Sequence, residues 1–475
     1  MINISGIVKT IRNLMRNDKG INGDAQRIEQ LGWMIFLKVF NDKDVEMEVI
    51  EDNYQSPIPS ELQWRNWAAD DEGMTGDALL DFVDKTLFPA LRSLSLGVVN
   101  QRAVLVREVF GGNNNYMKSG TLLRQVINKL NEIDFNRSED RHVFGEIYEI
   151  ILKELQSAGS SGEFYTPLAL TQFMTEMIDP KLGEVVFDPA CGTGGFLTSA
   201  IEHIRAKSVK NIEDRAILQT TIKGLELKPL PHMLAITNLI LHGIEVPQII
   251  STDALATEVS AIQVKDKVEV ILANPPFGGS VADGMENNFP LNFRTKESAD
   301  LFLILIIQYL KKEGRAAIVL PDGSLTGEGV KERIRRRLLE ECNLHTVVRL
   351  PNSVFQPYAS VATNLLFFEK GKPTETIWYY QHHLPVGQKS YSKTKPIQVS
   401  EFEPLRAWWE NREENEQAWR VNIETIAANG YNLDIKNPHV EESEHEYSSA
   451  ELLNMLHESF EKSDRILEQL KERLK

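Results

Sequence analysis

From about residue 160 the chain repeats one pattern: a short apolar run, a polar or glycine-rich break, then a helical stretch. The runs stand in "GEVVFDPACGTGGFLTSAIEHI", "TIKGLELKP", "PQIISTDA", "VEVILANPPF", "RAAIVLPDG" and "LHTVVRLPN". Val268, Val270, Ile271 and Leu272 have the near-continuous apolar character of a strand buried on both faces of a parallel sheet. Pro275 must end that strand, because it has no N–H to give the ladder. Strands alternating with helices predict βαβ units and an α/β, Rossmann-like, doubly wound and mostly parallel sheet, with ligands outside the carboxyl ends of the strands. Two further runs, "ATNLLFFEKG" and "TETIWYYQ", flank a Gly, Lys and Pro turn region and predict a hairpin closing one sheet edge.

A chain of 475 residues is too long for a single core. The expected division is a helical region over 1–150, the sheet domain over 151–400 and an acidic, helical region over 401–475. "DAQRIEQLGWMIFLKVFND" and "DRHVFGEIYEIILKELQSA" carry the helical periodicity of the first part. In the last, Trp408, Trp409 and Trp419 suggest a small docking layer, and "GYNLDIKNP" a turn-rich segment. Leu453, Leu456, Phe460, Leu467, Leu470 and Leu474 fall on alternating three- and four-residue steps, with Ser463 at the missing position. That seam predicts a helix packed on another helix, of its own domain or of a partner chain.

The most apolar run, "ADLFLILIIQYL", is shorter than the ~20 residues a spanning helix needs, so a buried core helix and a cytoplasmic protein without membrane association are expected. Cys191 and Cys342 stand far apart without a metal-binding spacing, which argues against a zinc site and for a reducing compartment. The net charge of −16 argues against non-specific attachment to DNA, so a nucleic-acid substrate would need a partner or a local patch. The densest basic stretch, "KERIRRRLLEE", has the period of an amphipathic helix with a solvated face.

Chemistry gathers at the strand ends. In "FDPACGTGGFL", Asp188 follows a strand and leads into a Gly-rich turn and a helix, suited to close approach by a nucleoside but lacking the Gly-Lys-Ser/Thr of a phosphate loop. Glu226 ends the next strand, where a carboxylate can accept both hydroxyl hydrogens of a ribose. Asp253, after the third, can accept from an adenine amino group or simply cap a helix. Upstream, "GEFYTP" offers Phe164 and Tyr165 to pack on a small ligand and Thr166 to hydrogen-bond it, or a plug between domains.

"NPPF" answers why a buried strand breaks where it does. An exocyclic amine is a poor nucleophile because its lone pair is delocalised into the ring. The Asn274 side-chain carbonyl and the Pro275 backbone carbonyl can accept its two hydrogens and aim the lone pair, by positioning and electrostatics and without strong base catalysis. Pro275 and Pro276 stiffen the backbone, and Phe277 offers a face on which a base stacks for ~1–3 kcal/mol, partly offsetting the few kcal/mol of flipping it from a duplex.

Together these segments resemble the amino-group class of S-adenosylmethionine-dependent DNA methyltransferases, and Asn274-Pro275-Pro276-Phe277 looks like the adenine N6 type. Their order, with the helical N-terminal region, "GEFYTP", "DPACGTGGFL", "GLELKP", "GYNLDIKNP" and the terminal seam, resembles the modification subunit of type I restriction-modification systems over nearly the whole chain. The resemblance implies cofactor contacts at Glu163, Phe164, Tyr165, Thr166, Pro167 and Leu168, at Thr193, Gly194 and Gly195, and at Glu226, with Asp188 and Asp253 matched less specifically. It also implies a specificity subunit that reads the double-stranded DNA target, usually with two modification chains per specificity chain, and a separate motor and nuclease subunit. Cys191, at a small-residue position of the turn, is a departure expected to be packing only. Methylation of RNA or of a protein glutamine, and a non-catalytic scaffold, are the competing readings. A cytosine C5 enzyme would need a nucleophilic Cys in this segment.

Overall fold

The computed structural model describes residues 4–94, 100–135, 166–356, 359–392 and 394–439, and some positions between 453 and 464. It divides into a unit over Met1–Ile435 and a second over Lys436–Lys475.

The first unit is built on a nine-stranded sheet in the order β3-β2-β1-β4-β5-β7-β6-β8-β9. The strands are β1 Val186–Asp188, β2 Ile222–Glu226, β3 Gln248–Ser251, β4 Val268–Ala273, β5 Leu310–Pro321, β6 Cys342–Arg349, β7 Thr363–Lys370, β8 Thr376–Gln381 and β9 Ala418–Asn422. Neighbours from β3 to β5 are parallel, so the carboxyl ends of β1, β2, β3 and β4 emerge along one edge. The mostly parallel α/β architecture expected from the alternation is present. The chain reverses direction between β2 and β4, on either side of β1, which opens a crevice at their ends.

The hairpin expected from β7 and β8 does not form. β7 lies between β5 and β6, antiparallel to both, while β8 pairs with β6 in parallel. The reason is burial on both faces: Leu365, Leu366, Phe367 and Phe368 are all fully buried, and an edge strand would leave one side of that run without partners. The stretch after 400, expected to be helical, supplies β9 as well as the helix Glu403–Glu410. Its tryptophans pack on their own sheet: Trp419 stacks on Tyr379 at 5.4 Å, and Trp409 meets Phe367 edge-on at 4.8 Å.

The N-terminal helices share one continuous hydrophobic core with the sheet domain. Helix Asp24–Ile50 approaches helix Pro229–Leu241 so closely that a Cβ on Gly32 would stand 2.4 Å from the Met233 methyl. Buried Arg102 reinforces the join. It pairs with Asp44 at 2.7 Å, donates to the Glu245 carbonyl at 3.0 Å and lies over the Phe40 ring.

Helix Val330–Glu341 is the amphipathic helix with a solvated face that its period predicts, with one exception in the basic run. Arg333 and Arg336 are exposed, but Arg335 is 1 % exposed. Its guanidinium donates to the carbonyls of Ser324, Thr326, Gly327, Gly430 and Tyr431, tying the loop after β5 to the "GYNLD" segment. The same segment is held by the Leu433 N–H on the Leu325 carbonyl and by the Tyr379 hydroxyl on the Leu433 carbonyl.

In the second unit, the described seam residues Leu453, Leu456 and Phe460 are helical and exposed. Leu467, Leu470 and Leu474 lie outside the described residues. No helix among the described residues is long and apolar enough to cross a membrane.

Candidate active site

The ends of β1, β2, β3 and β4 converge on a cavity of about 700 Å³. Thr166, Asp188, Thr193, Gly195, Glu226, Asp253, Asn274, Pro276 and Phe277 all line it. Pro167, Gly194 and Pro275 adjoin these residues in the chain without lining the cavity, and Leu168 is 43 % exposed at the start of its helix. Glu163, Phe164 and Tyr165 lie outside the described residues.

The Gly-rich turn is shaped by its backbone. Gly192 and Gly194 take φ of 53° and 83°, left-handed values that disfavour a side chain. A Cβ on Gly194 would also stand 3.1 Å from Leu239. Three further contacts fix the loop: the Cys191 N–H on the Leu225 carbonyl at 3.0 Å, the Gly192 N–H on Glu226 Oε2 at 2.9 Å, and Asn238 Nδ2 on the Thr193 carbonyl at 3.2 Å. Asn238 was not singled out from the sequence. Its signal is a lone amide in the mostly apolar helix Pro229–Leu241, which also holds His232 and Thr237. Cys191 is packing, as expected: its Sγ lies 3.0 Å from where Gly224 would carry a Cβ, and burial pushes its thiol well above the reactive range.

Each acid is held differently. Glu226 Oε1 accepts from the Lys228 N–H at 2.8 Å and Oε2 from the Gly192 N–H at 2.9 Å, and the Leu227 backbone also hydrogen-bonds the carboxylate. Asp188 is 1 % exposed and accepts from the Ala190 N–H at 3.0 Å. Burial, with a smaller contribution from neighbouring Glu226, pushes its carboxyl up to about 8, while burial also raises Glu226. Two carboxyls disfavoured as anions suit a ligand that brings positive charge and hydroxyl donors. Asp253 Oδ1 caps the short turn Ala254–Ala256 through the Leu255 N–H at 2.9 Å, so capping occupies one of its two oxygens.

Asn274 is 9 % exposed, directly beyond β4. Its Nδ2 donates to Thr166 Oγ1 at 2.9 Å, whereas its Oδ1 is buried with no hydrogen-bond partner among the described residues. A buried acceptor left unmatched is unfavourable by ~1–3 kcal/mol and marks a place where a donor belongs. Phe277 is buried beside it, its ring edge-on to Phe355 at 6.0 Å. Among the described residues no cluster of His, Cys, Asp and Glu could hold a metal.

Strand-end acids, a glycine turn, an amide with an unmatched acceptor and an aromatic ring line one cavity of an α/β fold, a set of groups suited to a nucleoside cofactor and an amino-group substrate. Comparison with known proteins makes this particular. The N-6 DNA methylase family model matches residues 139–447, and the HsdM N-terminal domain model residues 5–130. The EcoEI type I restriction enzyme methylase subunit of Escherichia coli is 55 % identical over 447 residues, covering 92 % of this chain and 91 % of that one. A modification subunit assigned to a type I restriction enzyme of Vibrio vulnificus YJ016 superposes with a TM-score of 0.84 at 44 % identity, over 92 % of this chain and 97 % of that one. A chain from a structural study of type I restriction-modification complex assembly gives 0.81 at 35 % identity, over 99 % and 98 %. The chain belongs to the N-6 DNA methylase family, among the methylase subunits of type I restriction enzymes. The reaction of that family is N-6 methylation of DNA.

Proposed function

We propose that Asn274, Pro275, Pro276 and Phe277 hold the target adenine, and that the acids and glycines of the adjoining strand ends hold the methyl donor. The observation that carries this is the buried, unmatched Asn274 Oδ1 in the wall of the strand-end cavity. S-adenosylmethionine, when bound, supplies a methyl group on a sulfonium sulfur, an electrophile whose departure leaves a neutral thioether. Glu226 accepts the ribose hydroxyls, Asp188 answers positive charge, and Thr193, Gly194 and Gly195 allow close backbone approach. Asn274 Oδ1 and the Pro275 carbonyl accept the two hydrogens of N6, while Phe277 supports the base.

Target reading is assigned to a separate specificity subunit, with two of these chains per specificity chain, and DNA translocation and cleavage to a motor and nuclease subunit, all in the cytoplasm. The net charge of −16 supports delegated DNA recognition. Exposed Leu453, Leu456 and Phe460 support a helical docking role for the end of 401–475, whose earlier part joins the sheet through β9, beside a helical region over 1–150 and a catalytic domain over 151–400.

Incubating the chain with labelled S-adenosylmethionine and DNA, with and without its specificity subunit, tests the assignment. N6-methyladenine, identified by mass spectrometry only when the subunit is present, is expected. Product from the chain alone would place target reading within it, and an assembled complex without product would return the chain to a scaffold.

Asp188 makes cofactor binding pH-dependent. In the free cavity its carboxyl is protonated below about 8, and a cationic ligand favours the anion, so binding releases a proton. Affinity is therefore expected to rise with pH, by up to ~10-fold per unit, and to level off above that value. Asp188→Asn should flatten the profile in titration calorimetry. An unchanged slope would remove Asp188 from the site.

A further inference from the structure

An asparagine amide presents nearly the same shape after a half-turn about its last bond, but its chemistry inverts. One orientation shows an acceptor to the cavity, the other a donor. Only the first can receive a hydrogen from an exocyclic amine, so something must choose between them. Among the described residues the partner of the Asn274 side chain is Thr166 Oγ1, which receives Nδ2 at 2.9 Å, while Oδ1 stays buried and unmatched in the wall of the cavity that both residues line.

A hydroxyl alone does not discriminate, because it both donates and accepts. If its O–H is uncommitted, Thr166 satisfies either amide orientation: it accepts from Nδ2, or donates to a reversed Oδ1. Once the O–H is given to another acceptor, the oxygen can only receive, and only the orientation that presents Oδ1 to the cavity keeps its hydrogen bond. We infer that Thr166 is a positioning residue for Asn274, and that an acceptor oxygen of the bound methyl donor, by taking the Thr166 O–H, locks the Asn274 amide in its amine-accepting orientation. Cofactor occupancy and readiness to hold the base are thereby joined through one hydroxyl, between segments 108 residues apart. This rests on the reading of Asn274 as the residue that holds N6.

The test uses the assembled complex with its specificity subunit, under single turnover, with S-adenosylmethionine and DNA saturating. Thr166→Val keeps the shape and removes both hydrogen-bonding functions, whereas Thr166→Ser keeps the hydroxyl. The valine variant is expected to slow methyl transfer about 10- to 100-fold even at saturation, less than the ~10²–10³-fold found when a group that touches the reacting atoms is lost. Its cofactor affinity should fall by a smaller factor, and serine should restore the rate to within about threefold. A valine variant that is as fast as wild type once cofactor is saturating would make Thr166 a cofactor contact only and overturn the proposal. Equal losses in valine and serine, with a lowered thermal midpoint for both, would make it a packing residue and also overturn it. Wild-type complex that forms no N6-methyladenine would count against the functional assignment instead, so the two failures are distinguishable.

Discussion

Asn274→Ala is expected to lower the single-turnover rate of adenine methylation by at least ~10²–10³-fold while cofactor affinity changes by less than about threefold. The asymmetry follows from geometry. Asn274 Oδ1 has no partner among the described residues, so its removal leaves no new orphan there apart from the Thr166 hydroxyl, which lines the cavity. The turn that shapes the cofactor side is held by Glu226, Asn238 and its own backbone, none of which touches the amide. What disappears is the acceptor that draws a hydrogen from N6 and aims its lone pair, an interaction made only when the base is in place. Quenched-flow measurement on the assembled complex, with calorimetry on the same preparation, separates the two quantities. Normal turnover would exclude the role, and a collapse of cofactor affinity would show that Asn274 supports the cavity instead.

Arg335→Met is expected to destabilise the first unit by about 3 kcal/mol or more, because several buried carbonyls lose their shared donor together. Methionine fills much of the volume but leaves the carbonyls of Ser324, Thr326, Gly327, Gly430 and Tyr431 without their shared donor, each orphan unfavourable by ~1–3 kcal/mol unless water enters. Arg335→Lys should recover little, because a single ammonium cannot span two loops as the planar guanidinium does. The midpoint of urea unfolding, followed by tryptophan fluorescence, measures the effect. A shift worth less than about 1 kcal/mol would mean that solvent replaces the guanidinium and that the two loops stand without it.

The strand-end chemistry was legible because it is local. Asp188, Glu226 and Asn274 each follow a run whose apolar pattern announces a buried parallel strand, and parallel strands in βαβ units must deliver their carboxyl ends to one edge. The glycine turn was legible for the same reason: two of its residues adopt left-handed φ within a few positions of the strand. Asp253 was readable only as an ambiguity between capping and ligand binding, and the structure shows that capping uses one of its two oxygens.

Strand pairing was not legible in the same way. The turn between β7 and β8 has hairpin composition, yet the burial of both faces of β7 sends it between β5 and β6. Arg335 shows the limit most clearly. Four basic residues stand at 333 and 335–337, within one helix; the sequence marks all of them as surface charges, and one becomes a buried clasp because two distant loops bring their carbonyls to it. The Asn274–Thr166 bond has the same origin, since neither residue signals the other along the chain. Periodicity and strand-end residue type thus carry the class of fold and most of the residues that line its cavity. Which strands become neighbours, which charge is buried and which way the amide faces depend on contacts between segments far apart in sequence, where burial and unmatched hydrogen bonds outweigh local preference.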